Sequence, residues 1–196
     1  MKRRTIDPQD KVERVVEAAR RLFVEKGYHR VSIPAIVAAS GVSIGAIYHH
    51  FGNKENLARR IHEATLEEFT RRLAERVAGC RSVREQLRAY AELVFEIAEE
   101  EPVTMEYMLL MRHGEFLRDV PPVCEARPFQ WVQEVLADAM ERGEVRRGDP
   151  LVAAAAFTGV VLRMVRLRLE NVAPAPLQGV LDEVFAHAWA SVAFRG

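Results

Sequence analysis

Apolar positions along this chain recur at helical spacing almost throughout. Val12, Val15, Val16, Ala19, Leu22 and Phe23 share one face of a first helix. Asp7 is its expected N-cap, Pro8 its first helical residue and Gly27 its stop. Ile33, Ile36 and Val37 form a second, shorter stripe between Ser32, an N-cap, and Gly41, a glycine stop. Pro34 fits the opening turn, whose amides lack intrahelical partners. Ile44, Ile47, Tyr48 and Phe51 stand at i, i+3, i+4 and i+7 and predict the packing face of a third helix that opens at Ser43. At such a length that helix depends on its neighbours for stability. After a cap at Asn53, a long stripe through Leu57, Ile61, Ala64, Leu66, Phe69, Leu73 and Val77 predicts a helix over 54–78.

The pattern stays helical beyond Gly79. Ser82-Val-Arg-Glu85 is a capping box, and Leu87, Tyr90, Ala91, Val94, Phe95 and Ala98 face inward behind it. Glu99, Glu100 and Glu101 put acid at the C-terminal end of this helix, a mild conflict with the dipole that solvation is expected to relieve. Beyond Pro102, the run from Val103 to Arg112 is apolar on nearly every side and is expected to be buried. A seventh helix is expected over 123–142 after Pro121-Pro122, with Trp131 slightly off its face. An eighth opens at Asp149-Pro150, runs to about Asn171 and ends before Pro174 and Pro176. A ninth spans about 177–193. No strand pattern or repeat occurs. The expectation is an all-α chain of about nine helices, with a helix-turn-helix domain over 1–53 and a helical domain over 54–196, connected by helix 54–78.

Residues 32–57 carry the chemistry. With one side of the third helix assigned to packing, Ser43, Gly45, Ala46, His49 and His50 remain on the other, small near its start and polar near its end. Small residues let a helix N-terminus sit deep in a major groove, and the free amides there suit phosphate oxygens. Lys54 opposes the dipole of the helix it opens, a conflict that an external phosphate would resolve. Formal net charge is zero, but residues 1–60 carry 12 Lys and Arg against 6 Asp and Glu, and the remaining 136 carry 16 against 22. That asymmetry fits one part meeting DNA and the other avoiding it. Arg3 and Arg4 lie in a basic arm ahead of the first helix.

Gly41-Val-Ser43, Gly45, Tyr48, Phe51, Lys54-Glu55 and Leu57 resemble the DNA-binding signature of the tetracycline-repressor (TetR) family of bacterial regulators. Ala18-Ala-Arg-Arg-Leu-Phe-Val-Glu-Lys-Gly-Tyr28 is similar to that family's first helix and its exit. The resemblance covers roughly residues 11–57. It implies a dimer formed by the last two helices, a pocket for a small effector, and a connecting helix that couples effector to DNA. Two-fold pairing also follows from the short recognition helix, because one such helix reads too few bases for a specific site.

The expected site residues are therefore of three kinds. Ser32, Tyr48, His49 and Lys54 are expected at phosphates, and Ser43, Gly45 and Ala46 at base edges, with Ile44 and Ile47 packing. Phe95, Met105, Tyr107, Met108, Met111, Phe116, Trp131 and Phe157 are candidates to line an effector pocket, plain core being the alternative for the same cluster. Ala153, Ala156, Val160, Arg163, Leu167, Leu181, Phe185 and Trp189 are candidates for the dimer face. Arg163 lacks a partner at i±4 and is expected to meet an acid across the dimer or a ligand carboxylate, whereas Arg166 and Glu170 form an ordinary helix-surface pair.

No catalytic constellation, metal site or cofactor is expected. His113 and Glu115 read as a satisfied polar pair near a loop, and Cys80 and Cys124 as free thiols. The start has charge but no apolar run of secretory type, and no stretch approaches a membrane span, so a cytoplasmic chain is expected. The reading is a homodimeric repressor released from a pseudo-palindromic double-stranded operator by a small, largely apolar effector. The alternatives are a ligand-independent DNA-binding module and a helical enzyme using residues 80–196.

Overall fold

In the computed structural model, residues 8–117, 127–173 and 175–194 are described. They form nine α-helices and no strand: α1 (Pro8–Lys26), α2 (Ile33–Ser40), α3 (Ile44–Phe51), α4 (Lys54–Val77), α5 (Val83–Glu100), α6 (Pro102–Leu110), α7 (Arg127–Glu141), α8 (Pro150–Leu169) and α9 (Leu181–Ala190). The expected Asp7 cap, the arm at Arg3 and Arg4, Pro121, Pro122, Cys124, Pro174 and the first residues of the expected seventh helix lie outside the described residues. The ninth helix is shorter than its apolar stripe suggests, because Leu177–Val180 winds as a separate 3-10 turn ahead of it.

The chain divides into two compact units, Met1–Thr65 with Glu106–Val120 and Leu66–Met105 with Pro121–Gly196. The first unit thus extends past the expected boundary at residue 53. It takes in the opening of α4, and a later segment supplies Tyr107 and Leu117 to the same core as Val15, Phe23, Ile36, Ile47, Phe51, Leu57 and Ile61. The Tyr107 hydroxyl is buried there and donates to the Ala58 carbonyl at 3.3 Å. Of the apolar residues of α6, only Met105 and Tyr107 are buried, and Leu110 is 40 % exposed, so the helix is not enclosed on all sides.

His113 departs from expectation. Its ring is buried between His62 (4.7 Å between centroids) and Tyr107 (4.8 Å), and its Nε2 has no hydrogen-bond partner. Glu115 turns instead to Arg112. A neutral imidazole fills an aromatic niche without an obligatory partner for each nitrogen, whereas a charged one does not. Burial, and secondarily the nearby His62, lower the His113 pKa to about 4.

In the second unit, α8 packs on α5, α7 and α9 and buries Ala154, Phe157, Thr158, Val161 and Val165. Among the described residues, it is the one unbroken helix long and apolar enough to cross a membrane, although only 28 % of that apolar window is buried. The acidic end of α5 is neutralised by distant arginines rather than by solvation alone. Glu99 accepts two bonds from Arg168, at 2.9 and 3.1 Å, and a third from the Leu177 amide at 2.9 Å. Glu101 pairs with Arg72 at 2.5 Å, and Glu96 with both Arg72 and Arg76. The capping box closes one residue further out than its pattern implies. Ser82 Oγ accepts from the Glu85 amide, but the Glu85 carboxylate accepts from the Arg81 amide at 2.6 Å.

Glu99→Ala leaves the Arg168 guanidinium and the Leu177 amide without their acceptor and should cost about 2 kcal/mol, read by thermal or urea unfolding. The unfolded His113 titrates near its ordinary value and the folded one near 4, so the unfolded state takes the proton first. Stability should therefore fall as pH drops from about 6.5 to about 4, by on the order of 3 kcal/mol, and then level off. His113→Phe, compared with wild type in melts across that window, should remove this part of the slope.

Candidate nucleic-acid interface

The turn between α2 and α3 is built from local signals. Ser32 Oγ accepts from the Ala35 amide at 3.3 Å, and Ser43 Oγ from the Ala46 amide at 3.4 Å, each capping its own helix. Gly41 sits at φ 68°, in the left-handed region that ends α2. A Cβ there would also meet Arg14 Nη2 at 2.9 Å, and that guanidinium donates to the Ser40 carbonyl at 2.6 Å. Ser40 is buried, and its Oγ accepts from the Val42 amide, tightening the turn. Arg14 and Ser40 are thus structural parts of the motif that helical periodicity does not mark.

On α3, Ile47 and Phe51 are buried at 1 % and 8 % exposure, while Ile44 and Tyr48 stand out at 47 % and 49 %. The assignment of Ile44 to packing is corrected accordingly. At 100° per residue, the pair Ile44 and Tyr48 lies roughly 60° round the helix from the pair Ile47 and Phe51. The core of the first unit is narrow enough to cover only the latter. Ser43, Gly45, His49 and His50 are exposed with Ile44 and Tyr48, and Ala46 is half-buried. The result is an outward face, small and apolar at its start, aromatic and imidazole-bearing at its end.

Lys54 is held from within. Its Nζ donates to the carbonyls of Tyr28 (3.1 Å) and Val31 (3.0 Å) and lies 4.1 Å from the centroid of the Tyr28 ring. Its unfavourable place at a helix start is thus offset inside the chain, without an external anion, and burial lowers its pKa. Asn53 caps the same helix, accepting from the Asn56 amide at 2.8 Å.

The family model described as bacterial regulatory proteins of the tetR family matches residues 15–61, from within α1 into α4. AcnR of Corynebacterium glutamicum, an HTH-type transcriptional repressor, is 30% identical over 188 residues, spanning 90% of this chain and 92% of that protein. The chain belongs to the TetR family of bacterial transcription regulators. FadR from Bacillus subtilis, solved in complex with stearoyl-CoA, has the same fold, with a TM-score of 0.78 at 20% identity over 91% of this chain and 98% of that one. AibR, solved with isovaleryl coenzyme A and operator DNA, matches at a TM-score of 0.70 and 22% identity, over 90% of this chain and 96% of that one. Proteins of this family are regulators and not enzymes, so the enzyme alternative in residues 80–196 falls away.

In this regulator the remaining candidate residues divide between the two units. Tyr107, Met108, Met111 and Phe116 belong to the first unit, where Met111 and Phe116 pack against its core and Phe116 stacks on Tyr28 at 4.2 Å. Phe95, Met105, Trp131 and Phe157 belong to the second. Phe95, Met105 and Phe157 are buried there, and Trp131 lies against Tyr90 at 6.2 Å. Tyr90, which also meets Phe69 and Phe157, is the centre of this aromatic group. Along α8, Ala156 and Arg163 are exposed, with Ala153, Val160 and Leu167 half-buried; on α9, Trp189 is half-buried and Leu181 and Phe185 are buried in their own protomer. Among the described residues, no group of three or more His, Cys, Asp and Glu is placed to hold a metal ion.

Gly45 has no packing reason to lack a side chain, since a Cβ there would meet nothing within 4 Å. Gly45→Ala should therefore stabilise the free protein by about 0.5–1 kcal/mol. If the backbone approaches DNA closely at this position, the same change should weaken DNA binding. A melt and a binding titration on the one variant should move in opposite directions.

Proposed function

We propose that this regulator is a homodimeric repressor whose two α3 helices enter successive major grooves of a pseudo-palindromic operator. The observation that carries this reading is the outward face of α3, where Ile44, Gly45, Tyr48 and His49 stay uncovered beside two internally satisfied N-caps. Ser43, Gly45 and Ala46 approach base edges, and Ser32, Tyr48 and His49 meet phosphates. Lys54 acts first by fixing the start of α4, with one ammonium N–H left for a phosphate. The dimer forms through the apolar face of α8 that its own protomer leaves open, including Val152, Ala156 and Gly159, with Arg163 meeting an acid across the two-fold axis. Leu181 and Phe185 support that surface from beneath.

The effector is small and largely apolar and binds in the second unit near Tyr90, Trp131 and Phe157. Its binding favours a dimer whose recognition helices no longer match grooves roughly 34–36 Å apart. The protein works in the cytoplasm, where its DNA is.

The test is a mobility shift of the purified protein on its own upstream intergenic DNA and on DNA selected from a random pool, across a salt series. A discrete complex of two protomers that survives excess nonspecific DNA is expected, with acyl-CoA thioesters as the first probes for release. Absence of a specific complex from both DNAs would refute the reading. Tyr48→Ala should lower affinity several-fold while leaving the salt slope and the melting temperature unchanged, because a neutral hydroxyl displaces no counterion. Lys54→Ala should lower both affinity and melting temperature.

A further inference from the structure

Ile44 is the aliphatic side chain of the recognition helix that neither packing nor capping explains. Ile44, the first residue of α3, is 47 % exposed, although its neighbours Val42 and Ile47 are buried at 5 % and 1 %. It follows the Ser43 cap directly and stands one turn before Tyr48, so the two project side by side. The adjoining Gly45 leaves open space beside it. A branched aliphatic group has no use for a phosphate oxygen and no donor or acceptor for a base edge. In a major groove, the feature it matches is the C5-methyl group of thymine. The opening turn of a recognition helix is also the part that reaches base edges.

We propose that Ile44 reads a thymine methyl group in each operator half-site, favouring an A·T pair at that position. The inference rests on the DNA-binding reading above and adds to it the base that this residue selects. Ser43 and Gly45 shape the approach, and the two methyl-bearing branches of Ile44 close over the thymine and exclude water.

The experiment uses the full chain and an operator obtained by selection from random duplexes. Each thymine of the half-site is replaced in turn by deoxyuridine, which differs only in lacking the methyl group, and affinity is measured for wild type and Ile44→Ala. At one thymine per half-site, loss of the methyl should weaken wild type roughly fourfold, and roughly sixteenfold when both half-sites are changed. Ile44→Ala should be insensitive to that same replacement, the non-additivity marking direct contact. Ile44→Val should keep most of the sensitivity, and Ile44→Gln should shift the selected base at that position from thymine to adenine. Because Ile44 is exposed, Ile44→Ala should melt with wild type; a large fall would make it a packing residue and overturn the proposal. A selected operator with no thymine whose methyl is coupled to Ile44 would overturn the Ile44 assignment alone. A selection that returns no operator would overturn the DNA-binding reading itself.

Discussion

A single ammonium group organises the DNA-binding unit. Lys54 gathers the carbonyls of Tyr28 and Val31 and the face of the Tyr28 ring, joining the start of α4 to the link between α1 and α2. Those carbonyls belong to a 3-10 turn and its cap, and that of Tyr28 also accepts from the Val31 amide. A lysine supplies several donors on one flexible stem, and its charge strengthens each bond. Arg14 performs the matching task on the other side, closing α1 onto the α2–α3 turn through the Ser40 carbonyl. Lys54 thus ties the exit of the helix-turn-helix to its entry, and Arg14 holds its turn, each through backbone oxygens. Helix α3 leaves Ile44 and Tyr48 outside.

The second unit solves a different problem. α8 has apolar residues on nearly all sides, and a monomer can cover only one of them. Phe157, Val161 and Val165 fill the interior, while the Arg168–Glu99 pair and the Leu177 amide fix the far end of the helix to α5. On the remaining side Val152, Ala156 and Gly159 stay exposed, with Arg163 one turn beyond them. The helix is thus anchored by charge at one end and leaves a small-residue, apolar stretch uncovered toward the other.

Local features were legible in the sequence because their causes lie within a few residues. The caps at Ser32, Ser43 and Asn53, the left-handed Gly41, the α1 stripe and the Arg166–Glu170 pair all follow from near neighbours. What escaped detection depends on residues far along the chain. The partners of Lys54 lie 23 and 26 positions away, and that of Glu99 lies 69 away. No helical pattern records either. The burial of His113 follows from His62 and Tyr107 converging on it, and a histidine next to a glutamate gives no hint of that. Ile44 was misplaced for a subtler reason. In an eight-residue helix, four apolar positions at i, i+3, i+4 and i+7 define a stripe wider than the small core beneath it, and periodicity does not say which edge stays dry. The same width left the dimer candidates mixed, since Leu181 and Phe185 share a stripe with Trp189 but point inward.

The first unit is not one continuous stretch of chain. Tyr107, Phe116 and Leu117 complete its core from a segment some fifty residues downstream of Ile61. A regulator of this kind is often imagined as a reading head joined to an interchangeable sensor, with evolution or engineering free to recombine them at the connecting helix. Here such an exchange would separate Tyr28 from the ring that stacks on it and leave the Ala58 carbonyl without the Tyr107 hydroxyl. A head transplanted alone would carry its DNA-reading surface but lose part of its own floor. A working chimera of this protein must therefore inherit two separate pieces of sequence, one of which lies inside what looks like the sensor.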